Sequence, residues 1–150
     1  MPASTITAEM SPAWPHRLLA RESTSAQAQA LSAELVELFG PDPYVWLASG
    51  GFELVEQQMS HFHGLLQPFS RDRFRVVVDP RSLPSFAAAS DEERRRVIIC
   101  HEIARSFFFE RRPAARPERR WPINERWEEI FCDAFASAVT GCPQQQEEAA

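Results

Sequence analysis

The feature that constrains this chain most is an apolar stretch, residues 97–109, with one polar pair near its centre. Its composition predicts a buried helix that carries His101 and Glu102. A polar pair in such surroundings costs free energy unless other groups match it with hydrogen bonds or opposite charge. The partners of these two residues therefore decide what the helix can do.

Both ends of this helix are marked in the sequence. Ser90 and Glu93 form the pattern of a capping box, in which the serine side chain caps the helix and the glutamate reaches back to it. We predict that the helix continues through Phe109 and that residues 111–113 end it.

The residues before this helix predict one further helix and a small sheet. Ser23 or Ser25 can cap a helix that runs to about Phe39. Strand-like apolar patterns occur in residues 44–48, 52–56, 60–67 and 74–78. The third of these segments is short and could instead be a loop. We expect a sheet of about three strands, mainly antiparallel, and the predicted fold class is α+β.

Length and composition predict one domain. The 150 residues suffice for a single core, and we divide them into a flexible N-terminal segment (1–24), a domain (25–143) and a disordered tail (144–150). A net charge of −5 argues against direct nucleic-acid binding. Neither a signal peptide nor a membrane-spanning run is recognisable. We therefore expect a cytoplasmic protein without a membrane partner.

His101 and Glu102 begin a zinc-binding motif that is incomplete. In the metallopeptidase pattern H-E-x-x-H, two histidines four residues apart lie on one helix face and bind one metal ion. Here Arg105 stands where the pattern has its second histidine. The interpretation of this arginine decides the predicted function.

A second helix supplies the acidic residues that such a site also needs. Asn124 can cap this helix, and we predict that it runs to Thr140. Within it Glu129 and Asp133 are four residues apart and therefore share one face. In a glutamate-type zinc site, the glutamate supplies the third ligand, and the aspartate orients a ligand imidazole without touching the metal.

With these residues in place, the chain resembles the ImmA/IrrE family of small bacterial metallopeptidases. The resemblance covers roughly residues 25–143. It consists of a helix, a small sheet ending at residues 73–79, the motif helix from Glu93 to Glu102 with its Phe-rich end, and residues 129–136. It implies a zincin-like core and, in intact members, zinc-dependent peptide hydrolysis, often of a repressor.

The resemblance also implies roles for individual residues. His101 would be a zinc ligand, and Glu102 would be the general base that activates a zinc-bound water. Glu129 would be the third zinc ligand, and Asp133 would orient a ligand from outside the metal's coordination shell. The chain departs from the family at Arg105, and it ends where the family often continues into further subdomains.

The arginine argues against a working zinc site. A zinc ion left with His101 and Glu129 loses one protein ligand, at a cost of about 3 kcal/mol. A guanidinium about 4 Å from a divalent ion opposes binding by roughly 8 kcal/mol at an effective dielectric near 20. Arg105 could instead take the zinc position and pair with Glu129 or Asp133. We therefore predict that zinc binding is weak or absent.

Two functions follow from these alternatives. The favoured hypothesis is a degenerate zincin-like protein that acts as a binding or regulatory module for a peptide or protein partner, such as a transcriptional regulator. The alternative is an active zinc-dependent endopeptidase that cleaves a regulatory protein such as a repressor, with Glu102 as its general base.

The remaining polar residues receive simpler interpretations. His61 and His63 would share one strand face, and we favour surface or turn positions over a metal site. Cys100 and Cys132 are predicted to be buried thiols. A basic loop beside the site contains Arg111, Arg112, Arg116, Arg119 and Arg120. This loop could bind a phosphate or an acidic partner, but a solvated loop is the favoured interpretation.

Overall fold

The structure is a computed structural model that describes residues 10–15, 17–20, 23–59, 63–79, 90–122 and 125–141. Its elements are α1 (Ser25–Phe39), α2 (Pro43–Ser49), β1 (Phe52–Glu56), β2 (Gly64–Phe69), β3 (Arg73–Val78), α3 (Asp91–Ser106), β4 (Phe109–Glu110), β5 (Glu118–Arg119) and α4 (Glu125–Thr140). The four helices and two small sheets within the described residues confirm the predicted α+β class. No helix among the described residues combines the length and the apolar character that crossing a bilayer requires.

The three helices predicted from the sequence are present, with small differences at their ends. The capping box of α3 is confirmed, because the Glu93 N–H donates to Ser90 Oγ and the Ser90 N–H donates to Glu93 Oε1. Thr24, rather than Ser23 or Ser25, caps α1. Helix α3 ends at Ser106 instead of Phe109, since Phe109 pairs with β5 in the second sheet. The predicted cap of α4, Asn124, lies outside the described residues.

Residues 44–48, predicted to be a strand, belong instead to helix α2. The Tyr44 N–H donates to the side chain of Asp42, and Pro43 holds the first helical position, where its missing N–H costs nothing. Pro43, Trp46 and Leu47 are the buried residues, and their spacing is that of one helix face. The strand prediction was wrong because a short apolar run does not distinguish the two structures, and the cap decides.

The main sheet has three strands, as predicted, but the prediction that it is mainly antiparallel was wrong. The strand order is β1-β3-β2, with β1 parallel and β2 antiparallel to β3. The strand that follows β1 in the chain, β2, lies on the far side of β3. The chain then turns back into β3, which runs parallel to β1. Ser70 and Asp72, both with positive φ, form the tight turn between β2 and β3.

Helices α3 and α4 pack against each other, and aromatic rings fill the space between them and their neighbours. The rings of Phe108 and Phe131 meet edge to face at 5.3 Å, and those of Trp46 and Phe135 do so at 6.0 Å. The thiols of Cys100 and Cys132 are buried, as predicted. This core fixes the polar face of α3 relative to that of α4.

The core extends into the segment where the sequence predicted flexibility, residues 1–24. Trp14 is only 2% exposed, and its ring lies 5.8 Å from that of Phe52 and 5.9 Å from that of Phe107. The Leu19 N–H donates to the Phe107 carbonyl at 2.9 Å. The packed unit therefore begins before residue 25. The tail predicted to be disordered, 144–150, lies outside the described residues.

Candidate functional site

The polar residues singled out in the sequence meet where α3 faces α4. His101, Glu102 and Arg105 are within one turn of α3, and Glu129 and Asp133 are one turn apart on α4. The close packing of these two helices brings all five side chains together. Their proximity agrees with the arrangement expected from the motif.

His101 contacts two of the acidic residues of α4, Glu129 and Asp133. Its Nε2 atom is 3.0 Å from Asp133 Oδ1 and 3.3 Å from Glu129 Oε1. One nitrogen and two oxygens of these residues lie within 4.8 Å of one another, which is a donor set suited to a divalent cation. Asp133, expected to stay out of contact with a metal, faces the same imidazole nitrogen as Glu129 and could act as a ligand.

The guanidinium of Arg105 lies beside this triad. It donates from Nη2 to Glu129 Oε2 at 2.9 Å and from Nε to Glu102 Oε1 at 3.1 Å. Its Nη2 is also 3.3 Å from Nδ1 of His101. The expected contact of Arg105 with Glu129 is thus present, whereas Asp133, the other expected partner, bonds to His101 instead.

Glu102, the predicted general base, is enclosed. It is 5% exposed, and one carboxylate oxygen accepts the hydrogen bond from Arg105 while the other lies 3.8 Å from His101 Nδ1. The backbone of β2 closes the remaining side: a methyl group added at Gly64 would lie 3.4 Å from Glu102 Oε2 and overlap Ile98. The carboxylate of Glu102 therefore faces other protein groups rather than open solvent.

Glu128 escaped the sequence analysis, and Arg119 was named there only as part of the basic loop. Glu128, on α4, is 3% exposed and accepts two hydrogen bonds from the Arg119 guanidinium, at 2.5 and 2.7 Å, and a third from Arg105 Nη1 at 3.3 Å. The sequence shows Glu128 next to Glu129, which could have suggested a second acidic side chain near the site. Its spacing could not indicate that Glu128 pairs with Arg119.

The basic loop is not uniformly solvated, which corrects its favoured interpretation. Arg119 is held by Glu128, and Arg111 donates to the Asp72 carboxylate at 3.0 Å and to the Gly50 carbonyl at 2.7 Å. Arg111 also lies 4.8 Å from the centre of the Phe74 ring. These two arginines stabilise the fold from within, because each makes its hydrogen bonds to groups that are partly or fully buried.

The electrostatics of the site favour charged forms of its members. Burial opposes protonation of His101, but the neighbouring carboxylates of Asp133, Glu102 and Glu129 outweigh it and raise the imidazole pKa well above its ordinary value. The hydrogen bond with His101 is the main reason that the pKa of Glu129 falls to about 2. Burial raises the thiol pKa of Cys132 to about 12, so this neighbour stays neutral at pH 7.

Burial acts in opposite directions on the pKa values of the ion pair of α3, Glu102 and Arg105. It would raise the pKa of Glu102 and lower that of Arg105, because burial penalises the charged form of either group. The nearby His101 imidazole and the attraction of Arg105 outweigh the effect of burial on Glu102, so that its pKa is lowered. The attraction of Glu102 likewise raises the pKa of Arg105. Both groups are therefore charged at neutral pH.

The site carries an excess of negative charge. Its charged side chains are those of Glu102, Glu128, Glu129, Asp133, Arg105 and Arg119. Four carboxylates against two guanidinium groups leave an excess of two negative charges while His101 is neutral, and of one when it is protonated. The arrangement can therefore accept a proton or a cation.

Of the two histidines considered in the sequence analysis, His61 and His63, only His63 is among the described residues, and it is not part of the cluster around His101. His63 is exposed and precedes β2, and the metal-type cluster found among the described side chains comprises His101, Glu129 and Asp133. His61 lies outside the described residues.

Comparison with known proteins yields no relative: no family model, curated protein or solved structure matches the chain.

Proposed function

We propose that this chain is a zincin-like protein of the ImmA/IrrE kind in which Arg105 replaces a ligating histidine and pairs with acidic residues of the metal site, and that it acts as a binding or regulatory module. One observation carries the proposal. The guanidinium of Arg105 hydrogen-bonds to both Glu102, the expected base, and Glu129, the expected third ligand.

Weak zinc binding follows from the position of this guanidinium. The donor atoms of His101, Glu129 and Asp133 suit a divalent cation by type, but a cation there would share Glu129 with Arg105. At about 4 Å and an effective dielectric near 20, the two positive charges repel by roughly 8 kcal/mol. Zinc could bind well only if Arg105 left the site.

The contacts of Glu102 oppose catalysis for a separate reason. A general base needs a carboxylate oxygen within hydrogen-bonding reach of the proton that it removes. One oxygen of Glu102 already accepts from Arg105, and the residue is almost completely buried. Even with a cation at the triad, Glu102 could not act as a base while Arg105 holds it.

A peptide-binding role is supported by the edge of the main sheet next to the site. The Asp79 N–H donates to the His63 carbonyl, and the pairing alternates from there, so the main-chain groups of Gly64 and Leu66 point away from β3. No strand pairs with this edge within the described ranges. An extended peptide could add to β2 through these groups, beside Glu102. The expected partner is a peptide or protein, with a transcriptional regulator as the candidate that the resemblance suggests.

The alternative function is an active zinc-dependent endopeptidase with Glu102 as its base. The donor triad and the excess negative charge of the site favour it. It requires that Arg105 turn out of the space between α3 and α4, giving up hydrogen bonds to three carboxylates.

A peptidase assay with and without a metal chelator separates the two functions. We expect that an unstructured protein such as casein is not cleaved in a chelator-sensitive way. The reason is that Arg105 hydrogen-bonds to both Glu102 and Glu129. The variant Glu102→Gln should match the wild type in this assay. Chelator-sensitive cleavage that is lost in Glu102→Gln would establish the endopeptidase and reject the module.

A further inference from the structure

Glu128 is the partner of Arg105 that the metal motif does not explain. A cation at the triad would compete with Arg105 for Glu129, but Glu128 is not a member of the triad. Glu128 is buried and lies between two guanidinium groups, those of Arg105 and Arg119. A buried carboxylate costs free energy unless it is paired and hydrogen-bonded, and here both conditions are met.

We propose that Glu128, oriented by Arg119, is a positioning residue that holds Arg105 in the site and thereby keeps divalent cations out. This inference rests on the proposed function and deepens it. Exclusion of the metal then depends on three residues, and not on the single replacement at position 105.

The geometry of Arg119 supports this role. Arg119 is directly opposite Phe109 in the pairing of β4 with β5, and its guanidinium lies 4.8 Å from the centre of the Phe109 ring. Its two hydrogen bonds to Glu128 form the bidentate geometry that fixes a carboxylate in orientation. That orientation directs Oε1 of Glu128 to Nη1 of Arg105 as well.

Glu128 can retain Arg105 when a cation arrives. A cation that takes Glu129 removes one partner of the guanidinium, but Glu128 and Glu102 still hold it beside the cation, where the two positive charges repel. Without the charge of Glu128, Arg105 is held less firmly and is repelled by the unpaired Arg119. Arg105 should then turn away more readily.

The test measures zinc affinity, by competition with a chromophoric chelator, in the full chain and in the variants Glu128→Gln, Arg105→Ala and their combination. We expect Glu128→Gln to bind zinc about tenfold more tightly than the wild type, as loss of one charge-assisted hydrogen bond predicts. In the Arg105→Ala background the same change should leave zinc affinity unchanged or weaken it, because there is no guanidinium left to hold. A purely structural role would give the same effect in both backgrounds.

Two controls keep the test decisive. Asp72→Asn breaks another ion pair, that with Arg111, away from the site, and should not change zinc affinity. If Glu128→Gln does not fold, Glu128→Leu combined with Arg119→Leu removes the pair without leaving a charge unpaired, and it should give the same gain.

The outcomes distinguish the two proposals. If Arg105→Ala binds zinc more tightly but Glu128→Gln does not, the positioning role is wrong and the proposed function stands. An equal gain from Glu128→Gln in both backgrounds also rejects the positioning role. If Arg105→Ala itself gains no zinc affinity, the proposed function fails first.

Discussion

Arg105→His binds zinc at least about a thousandfold more tightly than the wild-type protein, a difference of about 4 kcal/mol. The change removes the guanidinium that shares Glu129 with any cation and adds an imidazole one helical turn from His101. Lost repulsion of roughly 8 kcal/mol and a new ligand worth about 3 kcal/mol set an upper range. The expected gain is smaller because Glu102 and Glu128 lose a buried partner. Calorimetry or chelator competition measures the effect.

Arg105→Gln is the matched control for this experiment. It removes the same charge but offers no imidazole, so its zinc affinity should lie between those of the wild type and Arg105→His. The difference between the two variants isolates the new ligand. If Arg105→His binds zinc no better than Arg105→Gln, position 105 does not point at the triad, and the resemblance to the metallopeptidase motif loses its physical basis.

Trp14→Ala lowers the free energy of unfolding by about 3–5 kcal/mol, the usual cost of removing a large buried aromatic side chain. Trp14 is almost fully buried between Phe52 and Phe107, so its removal leaves a cavity in the core. Such a loss is a large part of the 5–15 kcal/mol that typically stabilises a domain. Urea unfolding followed by far-UV circular dichroism measures it.

Trp121→Ala is the corresponding control. Trp121 is 36% exposed and donates one hydrogen bond to the Leu19 carbonyl, so its replacement should cost only about 1 kcal/mol. If Trp14→Ala costs no more than Trp121→Ala, the N-terminal segment does not form part of the core. That result would favour the flexible N-terminal segment that the sequence predicts.

The parts of the fold that local chemistry determines could be predicted from the sequence. The capping box at Ser90 gave the start of α3, and the four-residue spacing of Glu129 and Asp133 placed both on one face of α4. The contact of Arg105 with Glu129 was expected for a different reason: the resemblance places both residues in one site, where a buried guanidinium needs a carboxylate such as Glu129 or Asp133.

The parts that depend on distant contacts could not be predicted. The direction of β1 relative to β3 depends on how the chain crosses the sheet, which no local pattern encodes. Helix α2 is too short for its apolar spacing to exclude a strand. The pair of Glu128 and Arg119 requires β4 and β5 to meet, and two-residue strands leave no sequence signal.

The site illustrates two ways of neutralising the same carboxylates. Four acidic side chains close together repel one another, and either a divalent metal or a cationic side chain can relieve that repulsion. Here Arg105 contacts three of the four, and His101 contacts Asp133, the fourth. An arginine does so without a dissociable ion, which fits the proposed non-catalytic module.

Zinc content of the wild-type protein tests the arginine-occupied site most directly. The protein would be purified without chelator, from cells grown with added zinc, and its metal content measured by elemental analysis. We predict well below one zinc ion per chain, and no change in His101→Ala. One zinc ion per chain that His101→Ala abolishes would contradict the account, because Arg105 shares Glu129 with any metal bound there and its positive charge should prevent tight binding.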